Sequence, residues 1–196
     1  AVFPTLAALP AFISRQSGRI VNIDSIAGKV SVPHLLPYSS AKFALAGFSQ
    51  GLEAELRPQG IRVTTIYPGL LRTGSFIQAQ FKGNQREEAN WFTLGATLPG
   101  ISMDTDRAAR QIVQAVKRAT PEPTLSLPAQ ILAGVNKAFP GGTSEILSAV
   151  TAALLPKASG SSRSKSGKDL FPAMHPALRV LSSLGVRAMQ NYNQTT

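Results

Sequence analysis

"PYSSAKFALAGFSQGLEAEL", residues 37–56, carries two signatures that demand different backbones. In Tyr38-Ser39-Ser40-Ala41-Lys42 a phenol and an ammonium stand four residues apart, which makes them neighbours only on an unbroken helix. Gly47-Phe48-Ser49-Gln50-Gly51 matches a G-x-S-x-G elbow, which needs a strand, a sharp turn at the serine and only then a helix. Apolar residues at Ala41, Ala44, Leu45, Phe48, Leu52 and Leu56 keep helical spacing over about four turns. "KFALAG" is too alanine-rich to make a strand before Ser49. Pro37 bounds the stripe at one end, Arg57 and Pro58 at the other. One helix is expected, with Ser49 in its middle.

Strand-like runs flank that helix. "GRIVNIDS" places Ile20, Val21 and Ile23 after Gly18, as expected of a strand buried on both faces. "IRVTTIYPG", residues 61–69, repeats the pattern and leaves through Pro68-Gly69. Strand, helix and strand with short joints make a βαβ unit, which implies parallel pairing and a right-handed crossover. "AVFPTLAALPAFISRQ" before it reads as a helix to about Gln16 despite Pro10. Thr73–Gly100 mixes helix-like pieces with glycines, as a mobile segment over a cleft would. Asp104–Thr120 is an amphipathic helix with Ala109, Ile112, Val113 and Val116 inward, and "PTLSLP" is a short third strand. Helices follow near 129–138, 143–155 and 176–190.

These elements place the chain in the α/β class, with a parallel, doubly wound sheet. The expected domains are a sheet domain over 1–128, a helical extension over 129–156, a flexible basic linker over 157–175, and a terminal helix and tail over 176–196. At 196 residues and 43% hydrophobic content the chain is long enough for a sizeable core. It has no cysteine and only two histidines, His34 and His175, without H-E-x-x-H, so no metal site is expected. The apolar N-terminal run lacks the basic start of a signal peptide, and no uncharged run reaches membrane-spanning length, so a cytoplasmic chain is expected.

The net charge is +10. Residues 157–196 hold six basic residues and one acid, so half of the excess lies in the last fifth of the chain. Much of it sits in "KASGSSRSKSGKD", a Ser/Gly/Lys-rich stretch of solvated type. No aromatic–basic interleaving accompanies it, and no nucleic-acid partner is expected.

Chemistry concentrates around residue 38. Tyrosine is a poor base, with a reference pKa of about 10. An ammonium about 4 Å away favours phenolate by about 4 kcal/mol at an effective dielectric near 20, which brings the phenol towards acid/base use. With "GRIVNIDSIAG" before this pair and "YPGLLRT", Tyr67 to Thr73, after it, residues 1 to 73 resemble the short-chain dehydrogenase/reductase family. The resemblance implies a Rossmann-like fold and hydride transfer between NAD or NADP and a carbonyl or alcohol carbon. The family's catalytic serine stands thirteen residues before the tyrosine, which selects Ser25. By the same resemblance Tyr38 is the general acid/base, Ser25 hydrogen-bonds the substrate oxygen, and Lys42 assists Tyr38 and binds ribose hydroxyls. Pro68, Gly69, Leu71 and Thr73 would meet the nicotinamide end. It also implies a homo-oligomer formed through helices 1–16 and 38–57. The apolar 74–103 segment suits a lipophilic alcohol or ketone.

Departures from the family pattern are as informative. The T-G-x-x-x-G-x-G loop, the N-N-A-G strand and a helix asparagine of the family are missing, and Asp24 stands where a second serine is common. The chain is therefore expected to be the C-terminal half of a reductase, with impaired coenzyme binding. Two rival readings remain. One is a non-catalytic dimerisation module on the same fold; the other is a serine hydrolase using Ser49 with Asp104 or Asp106 and His175. Attachment of 129–155 and the basic tail to a membrane surface is a further partner reading.

Overall fold

The computed structural model describes all residues except 158–162, 175, 193, 195 and 196. The chain divides into two compact units, residues 1–69 with 108–140, and residues 70–107 with 141–196.

In the first unit, helix α1 (Val2–Ser14) leads into strand β1 (Gly18–Ile23). Gly18 permits that approach, because a Cβ there would stand 2.6 Å from the Phe12 ring. A 3-10 turn at Ile26–Gly28 follows, then the long helix α2 (Leu36–Leu56) and strand β2 (Ile61–Ile66). Gly60 makes the turn into β2 with φ +76°, a left-handed conformation that disfavours side chains. Strands β1 and β2 pair in parallel, Gly18 opposite Ile61 and Ile23 opposite Ile66, so the expected βαβ unit is present. Ile20, Leu52, Leu56, Ile61 and Val63 form its core, with Leu9, Phe12 and Phe48 packed against them.

Three details differ from the sequence expectations. Strand β1 is buried on one face only: Ile20 and Asn22 point inward, whereas Val21 and Ile23 are exposed. No strand pairs with the free edge of β1 among the described residues. Helix α2 has the expected extent but a rotated inner face. Ser39, Ala46, Ser49, Leu52 and Leu56 are buried, while Ala41 and Ala44 face outward. Small residues win the inner positions because they let the helix backbone lie close to the sheet. Third, "PTLSLP" forms a single parallel bridge, Thr124 with Tyr67, rather than a strand. Its backbone still runs along β2, with the Thr65 amide donating to Pro121 O at 2.7 Å and the Tyr67 amide to Pro123 O at 2.9 Å.

The second unit is mainly helical. Helices α3 (Ser75–Gln78) and α4 (Gln85–Thr97) flank the short strand β3 (Gln80–Phe81). Helices α5 (Thr105–Lys117) and α6 (Leu127–Ala138) come next along the chain and belong, from residue 108 on, to the first unit; α7 (Pro140–Leu154) returns the chain to the second. In α5 the buried positions are Ala108 and Ala115; Ala109 and Val113 are exposed, so the expected stripe is out of phase.

The stretch expected as a flexible linker is partly folded. Strand β4 (Lys165–Ser166) pairs antiparallel with β3, and helix α8 (Gly167–Leu170) and a 3-10 turn at Phe171–Ala173 continue from it. The Phe171 ring packs tilted against Phe76 with centroids 5.5 Å apart, and Leu170 joins Phe81 and Ala89 in a core cluster. These apolar anchors outweigh the Ser/Gly/Lys composition around them. Residues 158–162 and 175, which that linker included, lie outside the described residues. The terminal helix is broken at Ser182 into α9 (Pro176–Leu181) and α10 (Ser183–Asn191).

Candidate active site

The end of β1 is fastened to the exit of β2. The Asp24 amide donates to Ile66 O and the Ile26 amide to Pro68 O, both at 2.8 Å, which holds Ser25 between two anchored neighbours. Ser25 is extended, and its Oγ accepts from the Ala27 amide at 3.1 Å, capping the 3-10 turn. That bond uses a lone pair and leaves the hydroxyl proton free to donate elsewhere.

Tyr38 lies in the first turn of α2 and is 44% exposed, open to a ligand. Lys42, one turn later, turns back towards the sheet. Its Nζ lies 5.7 Å from the Tyr38 ring centroid and donates to Ile23 O at 3.1 Å. The same Nζ is 3.8 Å from Asp24 Oδ1. The ammonium thus ties the phenol-bearing turn of α2 to the two residues preceding Ser25. Ser39, between the pair, is consumed structurally: its Oγ accepts from the Val32 amide at 3.1 Å and fixes the loop entering the helix.

Asp24 is strongly perturbed by its surroundings. Its side chain is fully buried, and neither oxygen accepts a hydrogen bond among the described residues. Burial pushes its pKa up to about 6, against the opposing pull of Lys42, the Ser25 amide and Lys29. Room for the carboxylate comes from Gly28, where a Cβ would stand 2.7 Å from Oδ2.

Sequence spacing gave no hint of the group beside it. Lys29 Nζ sits 4.0 Å from the Tyr67 ring centroid, 3.3 Å from Thr124 Oγ1 and 3.6 Å from Glu122 Oε2. The Tyr67 hydroxyl is buried without a hydrogen-bond partner among the described residues. Burial, then Glu122 and Asp24, push its pKa well above the usual phenol range, so it stays protonated. Only the fold brings Lys29 to residues more than ninety positions away.

The remaining expected residues divide between the units. Pro68 O receives the Ile26 amide, and Gly69 packs on the start of α6, where a Cβ would stand 2.8 Å from Ser126 Oγ. Leu71 and Thr73 belong to the second unit. Leu71 forms a bridge with Met103, and Thr73 Oγ1 accepts from the Ser75 amide at 3.2 Å. Ser49 of the elbow reading is wholly buried in mid-helix. It accepts from Asn22 Nδ2 at 2.8 Å and donates to Leu45 O at 2.7 Å, which removes it as an accessible nucleophile. His175, required by that reading, lies outside the described residues. Among the described residues no cluster of acidic or histidine side chains could hold a metal ion, and no helix is long and apolar enough to cross a membrane.

Part of the chain is similar to known proteins. Residues 1–82 match the family described as short chain dehydrogenase. A dehydrogenase/reductase SDR family protein 7-like of Anopheles gambiae is 41% identical over 75 residues, 38% of this chain and 24% of that protein. Among solved structures, a short-chain dehydrogenase from Streptomyces avermitilis superposes with TM-score 0.54 at 26% identity, covering 76% of this chain and 54% of that one. A Burkholderia cenocepacia short-chain dehydrogenase, solved in complex with NADP, shares the fold at TM-score 0.50 and 24% identity over 76% of this chain and 51% of its own. The chain spans about a quarter of the length of that curated relative and about half of those solved structures. The part of the chain that is similar to the short chain dehydrogenase family, residues 1–82, includes the whole parallel βαβ unit.

Proposed function

We propose that this chain carries the acid/base end of an NAD(P)-dependent oxidoreductase site acting on a carbonyl or alcohol. The observation that supports it most is the Lys42 ammonium, held between the Tyr38 ring and the Ile23 carbonyl at the strand end that presents Ser25. Tyr38 moves the proton to or from the substrate oxygen. Ser25, its acceptor side fixed by the Ala27 amide, donates its own proton to that oxygen and stabilises negative charge as it develops there. Lys42 supplies positive charge beside the phenol.

The donor set suits the nicotinamide-ribose end of a dinucleotide. Lys42 has three N–H donors; Ile23 O takes one and the Asp24 carboxylate faces another, which leaves one for a ribose hydroxyl. When bound, the coenzyme supplies or accepts the hydride. For the pyrophosphate the fit fails: the sequence has no T-G-x-x-x-G-x-G loop, and Gly47 and Gly51 sit inside α2. The full coenzyme site in this reading needs a glycine-rich segment besides these residues.

The test is a chimera. A glycine-rich dinucleotide-binding segment is fused ahead of Ala1, and NADH or NADPH consumption is followed with a panel of ketones. Turnover is expected, reduced about 10²–10⁴-fold by Tyr38→Phe and about 10²-fold or more by Ser25→Ala. Equal turnover by the Tyr38→Phe chimera overturns the reading.

A further inference from the structure

The buried carboxylate of Asp24 is unused by the proposed reaction. An ionised carboxylate without hydrogen bonds is costly inside a protein and persists only where a nearby opposite charge compensates it. The groups facing it come from every surrounding element. Lys42 reaches in from α2, Lys29 follows the 3-10 turn, and Tyr67 follows β2 with Glu122 beyond Lys29. Lys29 has partners of its own in Thr124 and Glu122. Among the described residues, the Lys42 ammonium meets the Ile23 carbonyl and the face of Tyr38 besides Asp24. Its flexible stem starts in the second turn of α2, from which solvent is within reach; the side chain is nevertheless only 20% exposed.

We propose that Asp24 is a positioning residue for Lys42, its carboxylate acting with the Ile23 carbonyl to hold the ammonium beside the Tyr38 ring. The hold is pH-dependent. Above about pH 6 Asp24 is ionised and draws the ammonium inward; below it the neutral acid exerts no such pull, and Lys42 keeps a single anchor. Gly28 belongs to the device, since any side chain there displaces the carboxylate. The relevance to turnover rests on the proposed oxidoreductase reading; the positioning does not.

The lysines of the whole chain are dimethylated reductively with ¹³C, which retains their charge, and their methyl signals are followed by NMR from pH 5 to 8. Loss of a signal in Lys42→Arg assigns Lys42. Its signal is expected to inflect with a midpoint near pH 6. In Asp24→Asn that inflection should vanish and the signal should move towards that of exposed Lys82. Asp24→Ser provides the same comparison if the asparagine is not tolerated, and the titration of the unaltered chain needs no variant. Titration of an imidazole elsewhere would persist in both variants. An unaltered chain with no Lys42 inflection, or an inflection that survives both substitutions, overturns the proposal. Because no coenzyme is involved, a chimera that never turns over leaves this result standing and refutes only the oxidoreductase reading.

Discussion

Asp24 shows how one residue can put a pH dependence into the fold. Its carboxyl pKa rises from 3.8 to about 6 on folding, chiefly because burial penalises the charged form. The folded state therefore binds the proton more tightly than the unfolded state. Its favourable contribution is complete below about pH 3.8 and is lost as pH rises through about 6. A shift of about two units corresponds to on the order of 2–3 kcal/mol. Other carboxylates titrate over the same range, so the informative quantity is the difference between the chain and Asp24→Asn. Relative to that variant, urea denaturation of the unaltered chain should show on the order of 2 kcal/mol less stability at pH 8 than at pH 4.5. Parallel stability profiles for the two proteins would contradict a buried, ionising Asp24.

At the scale of elements, α2 shows what a sequence reveals and what it hides. Helical periodicity chose correctly between two backbones, because an elbow at Ser49 would have broken a stripe of apolar spacing. Phase was the harder part. Counting hydrophobic residues points Ala41 and Ala44 inward, yet the helix buries Ser39, Ala46 and Ser49. Each of the two serines has a local hydrogen bond that offsets its burial: Ser39 takes the Val32 amide and Ser49 donates to Leu45 O. Polar side chains of this size are invisible to a hydrophobicity pattern. The pairing of Tyr38 with Lys42 was legible because helical spacing encodes it locally. Lys29 with Thr124 and Glu122 was not, because only the parallel run beside β2 brings them together.

The same contacts predict the fate of a Ser49 variant. Ser49→Ala leaves the Asn22 amide without its acceptor in a buried position, so a loss of about 1–3 kcal/mol is expected by chemical denaturation. Esterase turnover has no reason to change with it. A variant as stable as the parent would mean that Asn22 and Ser49 do not hold α2 to β1. A second junction depends on Gly60, whose φ of +76° places any side chain in a strained conformation. Gly60→Ala should cost at least about 1–2 kcal/mol on the same measurement.

For the whole molecule the question is what covers its exposed apolar side chains. Helix α1 exposes Phe3 at 86% and Leu6 at 50%, and α2 exposes Leu36 at 70% and Phe43 at 45%. Scattered apolar exposure is ordinary on a soluble protein, but several large side chains on two helices of one unit make a surface suited to another apolar surface. The family resemblance implies that this surface would meet a second copy of the chain through α1 and α2. Charge opposes the contact: each copy carries +10, so two copies repel at low ionic strength, and salt screens this repulsion over about 8 Å at 0.15 M. Self-association through apolar helices should therefore strengthen as salt rises, the reverse of contacts held by opposite charges. Sedimentation velocity at micromolar concentration is expected to show a dimer favoured at 0.5 M over 0.05 M salt. Phe3→Asp with Phe43→Asp should return it to monomer without loss of helical circular dichroism. A monomer at both salt concentrations would leave these side chains free in solution and remove the case for a subunit contact through α1 and α2.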